Sequence, residues 1–146
     1  MSHFVGLCFG DNWENQLEYY SENLEVEPYT DDGQLYTYNP NSKWDWYVIG
    51  GRWNGFLPLK TLNNAGDRIT TNEACVGEVD WEYLLAEKFP PFCYIDEDGE
   101  WFEKGDMHWF CVVAQKQPED VWNQQFTDYI KTLDPDCLVT VIDFHI

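Results

Sequence analysis

Two β-prone apolar runs stand near opposite ends of this chain, and they restrict its folds more than any other feature. Phe4–Phe9 reads Phe-Val-Gly-Leu-Cys-Phe and closes on Gly10, while Cys137–Phe144 is its counterpart in the last ten residues. Runs of this length and character are buried strands. Just before the second run, Trp122, Phe126, Tyr129, Ile130 and Leu133 recur every three or four residues. That spacing predicts a helix over 118–133 with one buried face. Pro118 suits its first turn, Glu119 and Asp120 suit its positive end, and Asp134-Pro135-Asp136 stops it. The expected product is one sheet holding both terminal runs with that helix across it. This is an α+β fold, an antiparallel or mixed sheet with helices packed on one face; a ferredoxin-like arrangement with a central insertion is one form that fits. At 146 residues the chain is expected to be a single domain over 1–146.

Weaker signals fill the middle. Asp11 with Glu14 three residues later reads as a capping box for a short helix through about Tyr20. Residues 21–43 read as irregular, with a short strand at Leu35–Tyr38 between turn signals. Trp44–Ile49 alternates with period two and predicts a second major strand, broken by Gly50-Gly51. Residues 61–79 read as loop, with a turn of helix at Ala74–Val79. Asp80 can cap a helix over Trp81–Lys88 that Pro90-Pro91 ends. Phe92–Ile95 and Glu100–Glu103 flank Asp96-Glu97-Asp98-Gly99 as a hairpin, and Trp109–Gln115 is β-prone.

Composition excludes several function classes. Twenty-seven Asp and Glu against eight Lys and Arg leave a formal charge of −19 and a pI near 4.1. Nucleic-acid binders depend on Lys and Arg contacts to phosphate, so direct binding to a DNA or RNA duplex is not expected. The same charge suits solubility, or fast and salt-sensitive capture of a basic partner. An aromatic fraction of 18% is too rich for a disordered chain. No apolar run is long enough to cross a bilayer, and no basic region followed by a long apolar stretch marks a signal peptide, so a cytoplasmic protein is expected. Five cysteines, Cys8, Cys75, Cys93, Cys111 and Cys137, form no Cys-x-x-Cys pair. They point to reduced, packed thiols and away from structural zinc; no metal and no cofactor is expected.

The acids are unevenly spread. Asp11, Glu14, Glu18, Glu22, Glu25, Glu27, Asp31 and Asp32 fall in a stretch without Lys or Arg. Glu14, Glu18 and Glu22 are spaced i, i+4 and would repel one another along a helix. A basic partner would relieve that repulsion, whereas an ordinary solvated face would simply carry it. The 96–106 hairpin is a second acidic candidate.

The most unusual segment runs Asn39-Pro40-Asn41-Ser42-Lys43-Trp44-Asp45-Trp46-Tyr47-Val48-Ile49-Gly50-Gly51-Arg52-Trp53-Asn54-Gly55. Taken with His3-Phe4-Val5, Asn15-Gln16-Leu17-Glu18 and Leu138–Ile146, it resembles a family of small acidic proteins of tailed bacteriophages and related mobile elements. Residues 61–100 add almost nothing to the resemblance, and Tyr19 stands where that family's pattern has Pro. The resemblance implies a source class, and with it the cytoplasm of a host cell, but no mechanism.

Gly50 and Gly51 can adopt positive φ and admit a ligand or a second backbone. Arg52 offers a planar fork for phosphate or carboxylate, and Trp44, Trp46 or Trp53 a stacking face, a set that would suit a nucleotide. Alternatively Trp44 and Trp46 are core, the glycines turn a strand, and Arg52 pairs with an acid. The segment is neither a P-loop nor a dinucleotide fingerprint. Asp143 and His145 share a strand face, and His3 beside them would complete a metal or acid–base group; otherwise His145 is a frayed or edge residue. His108 reads as packing.

Three functions follow, in order. The first is a non-enzymatic acidic phage accessory protein that binds and inhibits a host factor, as anti-CRISPR and anti-restriction proteins do. Such a protein would occupy the nucleic-acid-binding surface of a basic host protein through the acids of 11–32. The second is a nucleotide-binding module that sequesters or cleaves a signalling nucleotide through Trp44, Trp46, Gly50, Gly51, Arg52 and Trp53. The third is a small hydrolase built on Asp143 and His145.

Overall fold

The computed structural model describes residues 2–107, 113–114 and 117–146. Its strands are β1 (His3–Phe9), β2 (Tyr29–Asp31), β3 (Gln34–Tyr36), β4 (Trp46–Ile49), β5 (Leu57–Leu62), β6 (Arg68–Thr71), β7 (Glu73–Cys75), β8 (Cys93–Ile95), β9 (Trp101–Glu103), β10 (Asp106–Met107), β11 (Val113–Ala114) and β12 (Leu138–His145). The helices are α1 (Trp13–Glu18), α2 (Trp81–Glu87) and α3 (Glu119–Thr132), with single 3-10 turns at Gly51–Trp53 and Val76–Glu78. Apart from Val113 and Ala114, the expected strand over Trp109–Gln115 lies outside the described residues, as do His108 and Cys111.

The two terminal runs pair with each other. β1 and β12 are antiparallel over their whole length, from His3↔His145 to Phe9↔Val139. They form the centre of a six-stranded sheet in the order β4-β12-β1-β8-β9, with β7 also beside β12. The fold is α+β with a mixed sheet, because β8 runs parallel to β1 while the other pairs are antiparallel. That parallel neighbour separates it from a ferredoxin-like sheet, whose strands alternate in direction throughout.

Alternation along the central strands divides the core in two. Val5, Leu7, Phe9, Val139 and Val141 face α2 and α3, which contribute Leu84, Trp122 and Phe126. Phe4, Cys8, Ile142 and Phe144 face the other way, against Trp13 and Leu17 of α1 and against Trp44. The expected layer of helices on one face is thus α2 with α3, and the short α1 covers the opposite face. Buried Trp122 keeps its indole N–H satisfied by donating to the Pro91 carbonyl at 2.8 Å.

Several local expectations change. α1 ends at Glu18, its N-cap position is Asn12, and no side chain caps it, so the Asp11–Glu14 capping box does not form. Glu22 therefore lies beyond the helix, where its N–H donates to the Trp44 carbonyl, and the three-carboxylate helical stripe reduces to Glu14 and Glu18. The expected loop at 61–79 contains strand: the end of β5, β6 and β7, followed by a 3-10 turn. This β5–β6 hairpin is half-exposed and lacks apolar alternation, so its turn is the visible sign. Asn63 Oδ1 accepts from the N–H groups of Ala65 and Asp67, closing it. As expected, Asp80 caps α2 by accepting from the Tyr83 N–H at 3.0 Å. The Asp96–Gly99 turn also joins β8 to β9 as read. No helix among the described residues is long and apolar enough to cross a membrane.

Candidate functional site

Every one of the eight acids at 11–32 is exposed. Among the described residues the ion pairs are Lys43–Glu103, Arg68–Asp80, His3–Asp143 and His145–Asp45, so none of the eight is neutralised by one. The fold joins part of this set to the second acidic candidate. Gln16 Nε2 donates to the Glu97 carbonyl at 2.8 Å, and the Tyr20 hydroxyl donates to the Gly99 carbonyl at 2.6 Å. The first bond ties α1, and the second the Tyr20 that follows it, to the Asp96–Glu100 turn, and Asp11 follows Gly10, where an added side chain would touch Glu97. The local field registers on neighbouring groups. Burial raises the Tyr20 hydroxyl, with Asp96 and Glu100 adding to it. Burial also pushes the Cys137 thiol up to about 11, with Glu97 the next contributor. Glu25 and Glu27 belong instead to the stretch entering the β2–β3 hairpin, and Asp31 and Asp32 to the hairpin itself, which pairs with no other strand among the described residues and is held by Tyr29 stacked on Tyr36.

The Trp-rich segment divides. Trp44 is core, 7% exposed, and its indole N–H donates to the Leu17 carbonyl. Trp46, expected beside it in the core, is 42% exposed, because β4 is an edge strand whose Trp46 and Val48 face lies beyond the reach of α2 and α3. Gly50 and Gly51 both take positive φ, 74° and 52°. A side chain on Gly50 would strike the Asn72 amide, and one on Gly51 would strike the Asp143 carboxylate. The approach that these glycines permit is therefore intramolecular: the Arg52 N–H donates to Asp143 Oδ2 at 3.0 Å. A phosphate cradle in the same place would meet that carboxylate. The Arg52 guanidinium is exposed and in no ion pair among the described residues, contrary to the expectation that an acid holds it. Trp53 packs partly against the α2–α3 side of the core.

Asp143, His145 and His3 do come together, through the β1–β12 register. His3 Nδ1 donates to Asp143 Oδ1 at 2.7 Å, and His145 Nδ1 donates to Asp45 Oδ1. An ionised carboxylate only accepts, so in each couple the imidazole Nδ1 is the donor. The rings of His3 and His145 meet edge to face at 5.0 Å, and Trp46 stacks on His145 at 4.9 Å. His145 is 3% exposed, a packed residue and not a frayed end, and its Nε2 is buried with no hydrogen-bond partner among the described residues. Asp45 is the member that the sequence reading missed; only the β4–β12 pairing places it beside His145. Each carboxylate fixes the orientation of its imidazole, and His3 also lines a cavity of about 260 Å³ with Trp53, Phe89, Pro91 and Lys104. No group of three or more His, Cys, Asp or Glu among the described residues could hold a metal ion. Cys8 supplies no thiolate, since complete burial raises its thiol far above the ordinary range.

No family model matches the chain, and neither a curated protein nor a solved structure matches it.

Proposed function

We propose that this protein binds a basic protein partner through the acidic face that α1 and the Asp96–Glu100 turn build together. One observation supports the reading: side-chain bonds from Gln16 and Tyr20 to backbone carbonyls of the Asp96–Glu100 turn join two acidic stretches distant in sequence, and Glu14, Glu18, Glu97, Asp98 and Glu100 are exposed and in no ion pair among the described residues. Carboxylates that only ensured solubility would not need this apposition, which adds like-charge repulsion to the fold. With the source class that the Trp-rich segment implies, the partner is a nucleic-acid-binding host factor in the host cytoplasm. The acidic face would then stand where nucleic-acid phosphates bind. The protein acts by occupancy, without chemistry of its own.

The test is capture of partners from host lysate at low and high ionic strength, followed by competition with nucleic acid for the captured partner. Capture should fall as salt rises. It should also fall when Glu14→Gln and Glu18→Gln are introduced together, and nucleic acid should displace the wild-type protein. Binding that ignores both salt and the loss of these two charges would overturn the reading.

A further inference from the structure

β4 is an edge strand whose outer side is open. It pairs with β12 through Trp46↔His145 to Ile49↔Ile142, and among the described residues no backbone hydrogen bond reaches it from the other side. The phase of the ladder is fixed by the Gly50 N–H donating to the Val141 carbonyl. Alternation from that bond turns the N–H and C=O groups of Trp46 and Val48 toward β12, and those of Tyr47 and Ile49 outward. Natural edges are usually blunted by Lys, Pro, a bulge or a covering loop. β4 holds no Lys or Pro: its sequence is Trp-Tyr-Val-Ile, Trp46, Val48 and Ile49 are each more than 40% exposed, and the neighbouring segment that bonds this edge, Tyr20–Glu22, reaches only as far as Trp44, before β4 begins.

The two faces of this edge differ in chemistry. Tyr47 and Ile49 lie on the α1 side, where Trp13 meets the Tyr47 ring at 5.9 Å. Glu14 follows Trp13 in α1, and Glu14 and Glu18 help burial raise the Tyr47 hydroxyl. On the opposite face stand the exposed rings and methyl groups of Trp46 and Val48. A strand added outside β4 would therefore meet carboxylates on one face and apolar surface on the other.

Resting on the acidic-face reading above, we infer that β4 receives an extended segment of the basic partner as an added strand, with basic side chains toward α1 alternating with apolar ones toward Trp46 and Val48. Main-chain hydrogen bonds to Tyr47 and Ile49 supply affinity, and the two rows of side chains set the register. A second copy of this chain is a poorer occupant, because pairing β4 with β4 would bring Glu14 and Glu18 of both copies toward one seam while the chain already carries −19.

The probe is a ten-residue peptide of alternating Lys and Val, used with the intact wild-type protein. Two further peptides have the same side chains and charge, with the backbone N-methylated on every Lys or on every Val. In an extended strand the Lys N–H groups point to one edge and the Val N–H groups to the other. One methylated set should bind about tenfold more weakly or worse, as expected for lost main-chain hydrogen bonds, while the other should match the parent peptide. Equal behaviour of the two sets, whether both bind or both fail, overturns the added strand, as does a parent peptide that does not bind. A dimer in light scattering whose dissociation is required for peptide binding overturns it in favour of self-pairing. The acidic-face reading fails separately: it falls if Glu14→Gln with Glu18→Gln leaves affinity and salt dependence unchanged. It stands if both methylated peptides bind in a salt-sensitive way.

Discussion

Asp143 occupies a position that few carboxylates could tolerate, 2% exposed between two strands and a glycine turn. It is stabilised by the His3 imidazole on one oxygen and the Arg52 N–H on the other, so the desolvation cost is met by directed donors. That Asp143, His145 and His3 share a face was legible, because period two and two antiparallel terminal strands suffice to infer it. Asp45 and Trp46 were not legible as their neighbours. Alternation in Trp44–Ile49 gives a period, but it does not say which face the helices will cover. The consequence is measurable at two tryptophans. Trp122 is fully buried with its indole N–H bonded, so Trp122→Ala should cost about 3–5 kcal/mol in urea unfolding. Trp46 is 42% exposed and its ring contacts among the described residues are a stack on His145 and an edge contact with His3, so Trp46→Ala should cost about 1 kcal/mol. Equal costs would mean that the exposed face of β4 is covered after all.

At the scale of elements, helices with strong stop and start signals were readable and the irregular strands were not. α2 is the clearest case: Asp80 sits one residue before it and accepts from the Tyr83 N–H. β5, β6 and β7 escaped because their exposed residues carry no apolar rhythm and their partners are fixed by tertiary pairing, β7 with β12 through Thr140↔Glu73 to Leu138↔Cys75. The Asp80 cap gives a pH prediction. The Tyr83 N–H, and after it Arg68, hold the Asp80 carboxyl below the usual carboxylate range, against an opposing contribution from burial. A folded pKa below the unfolded value of about 3.9 contributes stability above that value, and the contribution disappears as pH falls through the folded one. Asp80→Asn keeps an acceptor for Tyr83 but removes this titration. The stability gap between wild type and Asp80→Asn should therefore narrow as pH is lowered from 6 toward about 3. Asp80→Ala, which removes the cap itself, should cost about 1 kcal/mol at neutral pH. A gap that stays constant across the acid range would show that the carboxylate charge does not contribute to capping.

For the whole molecule, the joining of residues at opposite ends of the sequence in β1 and β12 was the most legible feature, since two long apolar strands can be buried together only in the middle of a sheet. The parallel β1–β8 pair was hidden because β8 is three residues long and its neighbour is chosen by the path of the intervening chain. Charge is the other whole-molecule property, and its effects on folding and on binding have opposite signs. Twenty-seven acids against eight bases, with two ion pairs of Lys or Arg among the described residues, leave the folded state under net self-repulsion. Raising NaCl from about 0.1 M to about 1 M shortens the screening length from about 10 Å to about 3 Å. The thermal midpoint should rise with it; for a chain of this size each kcal/mol gained corresponds to about 2–4 °C. Binding to a basic partner should weaken over the same range, so loss of binding at high salt cannot be blamed on unfolding. Glu14→Gln with Glu18→Gln should start from a higher midpoint and respond less to salt, because part of the repulsion has already been removed. A midpoint that is flat in NaCl for both proteins would mean that the carboxylates are too dispersed to repel. Such dispersal would weaken the case that α1 and the Asp96–Glu100 turn act as one acidic face.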